Sequence, residues 1–361
     1  MIGFDHQMRK YSGARHSTTD ENRKESRIMA STKRPTRDDV ARLSGVSSAV
    51  VSYALNNGPR PVSKQTRQRV LDAVQELGYR PNSAARAFRL QKSNSIGLLV
   101  PDISNPFFAE LAQAVREAAS AEGYALILND SGSTSSIRQD QIRFIAERQP
   151  DGVIIIGRTA HTDLSPLRLN QIPTVSPDAT ETEIAIPTVS IDDYTASLSG
   201  IDHLRTHGHE RIAMIAGPDG SAAADARVRA WEDATGLTAQ SRFLTRSEYS
   251  RDAGFSACQS LLDSDLDFTA IFAASDIQAM GALRALHEAG RRIPEDCALL
   301  SFDGTQEARF ATPPLTVIEQ PLALMASQAV SLLFNESADR TDHVVVTHLL
   351  RTGASCGCQA S

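Results

Sequence analysis

The chain has no apolar run approaching the roughly 20 residues that a membrane-spanning helix needs. Its first residues, M-I-G-F-D-H-Q-M-R-K, are polar and charged where a secretion signal requires an apolar core. Both absences predict a cytoplasmic protein that stays off membranes. Cysteine is sparse, with four in 361 residues. Cys258 and Cys297 stand far apart, and the terminal Cys356-Gly-Cys358 offers too few ligands for a closed zinc site, so reduced, incidental thiols are expected, with no disulfide framework and no metal. Also absent are G-x-x-x-x-G-K-[ST], G-x-G-x-x-G after a strand and G-x-S-x-G, which argues against the common nucleotide-binding and hydrolase chemistries. His207 and His209 flank Gly208 just ahead of an apolar run and read as a turn feeding a strand, not as a metal pair. The expectation is a protein that is not an enzyme and carries no cofactor.

Charge is present but unevenly placed. The net charge is −6, yet Lys33 to Lys92 holds twelve Lys/Arg against four Asp/Glu, and the rest of the chain beyond it is acidic. A basic module on an acidic body suits a polyanion binder: the module attracts phosphates while the body avoids indiscriminate adhesion.

The chain divides by pattern. Residues 1–32 are rich in Ser, Thr, Arg and Glu without apolar periodicity and read as a disordered tail, with Met29 resembling a natural start. Residues 33–81 read as three helices in a helix-turn-helix domain. Thr36 is placed to cap the first, whose Val40, Ala41 and Leu43 form an apolar side. Ser44-Gly45 breaks it, Ser47 can cap the second helix, and Val70, Val74 and Leu77 stripe the third before Gly78. Positions near the start of a second, recognition helix meet base edges, which here selects Ser48, Ala49 and Tyr53, with Ser47 and Ser52 available to phosphates. Thr36 and Asn56 bound the same DNA-facing block.

Residues 82–95 read as a hinge helix and linker. Asn82 to Arg89 makes only two turns, below the length at which an isolated helix is even marginal in water. Asn82 can cap it, Ala84, Ala85 and Phe88 share a face, and Arg86 and Arg89 can reach phosphate. Two copies side by side in a dimer could press Phe88 into the minor groove as a wedge.

From 96 to 361 short apolar runs, Ile96–Val100, Ala125–Asn129, Gly152–Ile156, Ile212–Gly217, Ala270–Ala274 and Ala298–Phe302, alternate with helical stretches. Such runs indicate parallel strands buried on both faces. They are too many for one sheet, so two similar α/β subdomains with a cleft are expected, with ligand at the carboxyl ends of the strands.

At this point the chain resembles the LacI/GalR family of bacterial transcription regulators over roughly residues 33 to 355. The resemblance rests on D-V-A-R-L-S-G-V-S from Asp39, V-S-Y-A-L-N from Val51, V-S-K-Q-T-R from Val62 and L-G-Y-R-P-N from Leu77. It continues with I-G-L-L-V-P-D-I-S-N-P-F-F-A-E from Ile96, H-G-H-E-R-I from His207, S-D-I-Q-A-M-G from Ser275, S-F-D-G from Ser301 and P-P-L-T-V-I-E-Q-P ending at Pro321. It implies a helix-turn-helix domain followed by a periplasmic-binding-protein type I effector domain of two Rossmann-like subdomains. It also implies a homodimer on a near-palindromic double-stranded operator, and a small-molecule effector, a sugar by preference, that sets operator affinity.

Residue by residue, Ala85 and Phe88 fall at the family's minor-groove pair, with Phe88 where Leu is usual. Val50 and Tyr53 stand where Thr and Arg are common. In the cleft the resemblance points to Phe107 and Phe108 stacking on the effector and to Arg227 and Asp303 holding its polar groups, with Ser221, Tyr249, Ser275 and Asp276 as further candidates. Trp231 to Ser247 is shorter than the family's usual helix and loop. The rival readings are a transport-type sugar receptor, which would need a secretion signal and no DNA module, and an activator or global regulator governed by a partner protein instead of a sugar.

Overall fold

The computed structural model describes residues 35–56, 60–80, 92–130, 132, 135–157, 162–177, 186–335 and 342–358. Two compact units divide the chain, one ending at Arg86 and one beginning at Ala87.

In the first unit, polar groups set where each helix begins. Helix α1 (Arg37–Ser44) starts at Thr36 in a reciprocal capping box. The Thr36 hydroxyl accepts the Asp39 amide at 3.3 Å, and the Asp39 carboxylate accepts the Thr36 amide at 2.9 Å. Asp38 and Asp39 complement the positive end of the helix, and Gly45, at φ +67, ends it in the left-handed region. Helix α2 (Ser48–Asn56) begins after Ser47, whose hydroxyl accepts the Val50 amide at 3.3 Å. Helix α3 (Lys64–Leu77) is capped by Ser63 and stopped by Gly78. Val40, Ala41, Val51, Ala54, Val70 and Ala73 form the core between the three. Leu43, expected on the apolar side of α1, is instead 46% exposed. The buried stripe runs through Val40, Ala41 and Ser44, and the helical advance per residue turns Leu43 roughly a quarter turn off it.

Among the described residues, the second unit holds two six-stranded sheets. The first contains β1 (Ser95–Val100), β2 (Ala125–Asp130), β3 (Gly152–Ile155), β4 (Thr174–Pro177), β5 (Thr188–Ile191) and β11 (His343–Val346), in the order β11-β5-β4-β3-β1-β2. The second contains β6 (Ile212–Ala216), β7 (Leu244–Arg246), β8 (Ala270–Ala273), β9 (Ala298–Asp303), β10 (Thr316–Glu319) and β12 (Leu349–Arg351), in the order β12-β10-β9-β8-β6-β7. All pairings are parallel except β10 with β12. The expected α/β body of two similar subdomains is present.

Strands β1, β3, β6, β8 and β9 are buried at every position, as unbroken apolar runs require. Strand β2 departs from that expectation: it closes one edge of the first sheet, and its Leu128 is 44% exposed.

Helices α4 (Pro106–Ala121), α5 (Ser135–Glu147), α6 (Ser165–Leu169) and α12 (Leu322–Phe334) accompany the first sheet, while α7 (Asp193–Thr206), α8 (Ala222–Thr235), α9 (Arg251–Leu262), α10 (Asp276–Glu288) and α11 (Gln306–Phe310) accompany the second. The chain passes from the first sheet to the second after β5, returns after β10, and crosses again between β11 and β12. Helices α9 and α10 pack backbone to backbone. A Cβ on Gly281 would stand 2.1 Å from the Arg251 carbonyl oxygen, and one on Gly254 would stand 2.3 Å from that of Gln278. Among the described residues, no helix is long and apolar enough to cross a membrane.

Candidate DNA-reading and ligand-binding sites

On the DNA-reading block, Thr36 and Ala49 are exposed, while Ser48, Ser52 and Tyr53 are half-buried. Ser48 is not a bare contact residue, because its hydroxyl donates to Asp38 on α1 and so ties the two helices together. Thr36 and Ser47 both serve as helix caps, which fixes the orientation of the block from which Ala49 and Tyr53 project. The side chain of Asn56 and the whole of Asn82, Ala85, Arg86 and Phe88 lie outside the described residues, as do the 1–32 tail and most of the 82–95 hinge.

In the body, the carboxyl ends of β6, β8 and β9 gather the other candidates. Arg227, on α8, is 4% exposed. Its Nε and Nη2 donate to Asp193 Oδ1 at 2.8 and 2.7 Å, and its Nη1 donates to the carbonyl of Ala274, just past β8, at 2.6 Å. The guanidinium also lies 3.6 Å from the ring centroid of Phe302. Asp303 ends β9 with φ +112, a region that a residue with a Cβ rarely adopts. Its carboxylate accepts Gln320 Nε2 at 3.0 Å and the Asp276 amide at 3.4 Å. Strain of this kind persists where surrounding structure holds it, and it concentrates at functional positions.

Ser275 caps α10, and Asp276, the next residue, accepts the Ser301 hydroxyl at 2.5 Å and the Thr305 amide and hydroxyl at 2.7 and 2.8 Å. Burial raises the Asp276 carboxyl to about 6, opposed by those hydrogen bonds. Ser221 caps α8. Tyr249 lies across Gly217, where any Cβ would meet the phenol oxygen at 2.1 Å. From the first sheet, Asn105 caps α4, and Phe107 and Phe108 follow it. Their rings meet edge to face at 5.3 Å. Phe107 is packed into the main core at 5% exposure, whereas Phe108 is half-buried beside it.

Two sequence patterns are characteristic of this architecture. The description "Bacterial regulatory proteins, lacI family" matches residues 36–82, and "Periplasmic binding proteins and sugar binding domain of LacI family" matches residues 93–352. The chain belongs to the LacI family. Among its relatives is the HTH-type transcriptional repressor CytR of Escherichia coli K12, 34% identical over 305 residues, covering 83% of this chain and 89% of CytR. A solved complex of the transcriptional regulator CelR with cellobiose is 29% identical with a TM-score of 0.66, covering 89% of this chain and all of that one. A Lac repressor dimer bound to operator and the anti-inducer ONPF shares the fold at a TM-score of 0.80 and 24% identity, covering 90% of this chain and 99% of that one. This LacI-family chain therefore falls among transcriptional regulators.

Several residues that hold these candidates in place, or that join the two halves, escaped the sequence reading. Asp193 is the buried partner of Arg227. Gln278, fully buried, donates to the Ala216 carbonyl at 3.1 Å and to Ser247 Oγ at 2.8 Å, binding the ends of β6 and β7 to α10. Glu110 accepts the Gln306 amide at 2.9 Å, a bond from α4 to α11 that joins the two halves. Only Asp193 carried a local hint, a carboxylate in the first turn of a helix.

His207 and His209 flank the turn that feeds β6 and do not pair with each other, as read. His209 turns to Thr269 Oγ1 at 3.0 Å. His207 turns the other way, to Cys358 Sγ at 3.1 Å, and His203 lies 3.2 Å from Cys356 Sγ, so the terminal thiols have histidine neighbours that the spacing alone did not show.

Proposed function

We propose that this protein is a repressor whose grip on a near-palindromic operator is set by a sugar in the cleft of its second unit. The observation that carries the reading is the convergence of Arg227, Asp303, Ser221 and Ser275 on the carboxyl ends of β6, β8 and β9, with Asp303 held in a strained backbone conformation. A cation and a carboxylate at neighbouring strand ends suit the paired hydroxyls of a saccharide, and Phe108 or Tyr249 can cover its C–H face. Family membership and the cellobiose-bound relative support the same class of ligand.

In this mechanism the sugar shifts the two halves about the three chain crossings. The movement changes the separation of the two hinge segments, Asn82 to Arg89, in a homodimer, so that they dock in the minor groove or release it. Ser47, Ser48, Ala49, Ser52 and Tyr53 present the major-groove surface, with Tyr53 and Ala49 addressing base edges.

Calorimetric titration of mono- and disaccharides, cellobiose among them, tests the ligand half. One saccharide is expected to bind wild type and to bind Asp303→Asn at least about tenfold more weakly, the loss of a charge-assisted hydrogen bond. Footprinting of DNA upstream of the gene, with and without that saccharide, tests the coupling. A saccharide that binds without altering protection would reject it.

A further inference from the structure

Four ligand-bearing side chains outside the cleft converge at the far end of α7: His203, His207, Cys356 and Cys358 have one ligand atom each within 4.8 Å of all the others. We propose that these four residues form a structural zinc site that fastens the end of the chain to α7.

The residue set is that of a Cys2His2 cage, with four ligand atoms close enough together to surround one ion. His203 lies in the last turn of α7 and His207, four residues on, caps that helix, with ring centroids 4.9 Å apart. The Nε2 atoms approach the sulfurs at 3.2 Å (His203 to Cys356), 3.1 Å (His207 to Cys358) and 3.6 Å (His203 to Cys358). Zinc bound at ~2.3 Å from sulfur and ~2.0 Å from nitrogen spaces its ligands by roughly 3.3–3.8 Å along the tetrahedral edges. These three nitrogen-to-sulfur separations are at or just below that range and no pair of the four ligand atoms is more than 4.8 Å apart, so small rotations of the side chains would admit the ion.

The local backbone serves the same convergence. Gly357 adopts φ +94 after a short 3-10 turn (Ala354–Cys356), a conformation that lets the thiols on either side of it point together. The Thr316 hydroxyl lies 2.9 Å from Cys356 Sγ, an outer contact of the kind that orients a metal thiolate. Ser355 anchors the turn by accepting the Thr316 amide at 2.8 Å and donating to the Leu299 carbonyl at 2.5 Å.

Two thiolates and two imidazoles select zinc over the hard cations magnesium and calcium. Four protein ligands, one of them the buried Cys356, leave no open position for substrate, which makes the role structural. The ion would join residues some 150 positions apart in the chain, and cross-links that close long loops constrain the unfolded state most.

The test uses the full chain, stripped by chelator, kept reduced with a phosphine, loaded with zinc and desalted. Wild type is expected to retain one zinc per chain, and cobalt(II) in its place is expected to show sulfur-to-cobalt charge transfer and tetrahedral bands. Cys358→Ser and His207→Ala are the variants of choice, because neither side chain is fully buried and both proteins should fold. Each is expected to weaken zinc binding by more than the roughly 10–100-fold typical of an outer-contact loss, and each should lose the zinc-dependent rise in Tm. Wild type that retains no zinc, cobalt bound with an all-oxygen spectrum, or variants that hold zinc as well as wild type would each overturn the proposal. Saccharide and operator binding are measured separately, and neither result bears on the zinc site.

Discussion

The two sheets of the body share one strand order, yet they are built from different interiors. Among the described residues, the four buried charged side chains, Asp193, Arg227, Asp276 and Asp303, all belong to the second sheet or to helices packed on it. The first sheet buries hydroxyls and an amide instead: Ser95, Asn105, Thr162, Ser176, Thr188 and Ser190. Burying a charge is tolerated only where it is paired and hydrogen-bonded. Here each is paired or hydrogen-bonded, Asp193 by Arg227 and the others by several partners, so the second sheet carries a preformed polar wall. The first contributes the half-buried ring of Phe108 and the bond from Glu110. The same strand order thus yields one half that supplies charge and hydrogen-bonding groups and another that is mainly apolar.

The largest break in that contrast should come from Arg227→Met, which leaves Asp193 buried without its bidentate partner. A loss of about 3–5 kcal/mol is expected in urea unfolding, with much of it recovered when Asp193→Asn is added. Next comes a matched pair of glycines. Gly281→Ala drives a methyl group into the α9 backbone and should cost about 3 kcal/mol, whereas Gly97→Ala on β1 meets the Ile145 side chain at 2.6 Å and should cost about 1 kcal/mol, because a side chain can yield where backbone cannot. If the two costs were equal, close helix contact would not distinguish the second half.

Asp276→Asn sharpens the electrostatic side of the comparison. The folded-state carboxyl is raised to about 6, above its unfolded value near 4. Stability linked to this group is therefore fully present below about pH 4 and is lost as pH rises through about 6. Denaturant titrations across that window should show this decline in wild type and its absence in the variant. The smallest effect is expected at the exposed edge of the first sheet, where Leu128→Ser should move stability by no more than about 0.5 kcal/mol.

Much of the frame was readable because its causes are local. Thr36, Ser47 and Ser63 announce helix starts through hydrogen bonds three residues long, and the runs that became β1, β3, β6, β8 and β9 are apolar on both faces. Strand β5, T-V-S-I, passed unread because its buried hydroxyls look like loop chemistry until His343 arrives on β11 to meet Thr188. Leu43 was misplaced by a short window that counted apolar residues without fixing the angle of the stripe. The resemblance named Arg227 and Asp303 as candidates, while the contacts of Asp193, Gln278 and Glu110 depend on partners brought near only by topology. The approach of Cys356 and Cys358 to His203 and His207 was hidden for the same reason, since those histidines lie some 150 residues upstream.

The last crossing of the chain has a consequence for biosynthesis. Strands β11 and β12 follow every other strand in chain order and supply one edge strand to each sheet. Neither half can therefore acquire both of its edges until this last crossing has been synthesised. Neither can mature early and wait for the other.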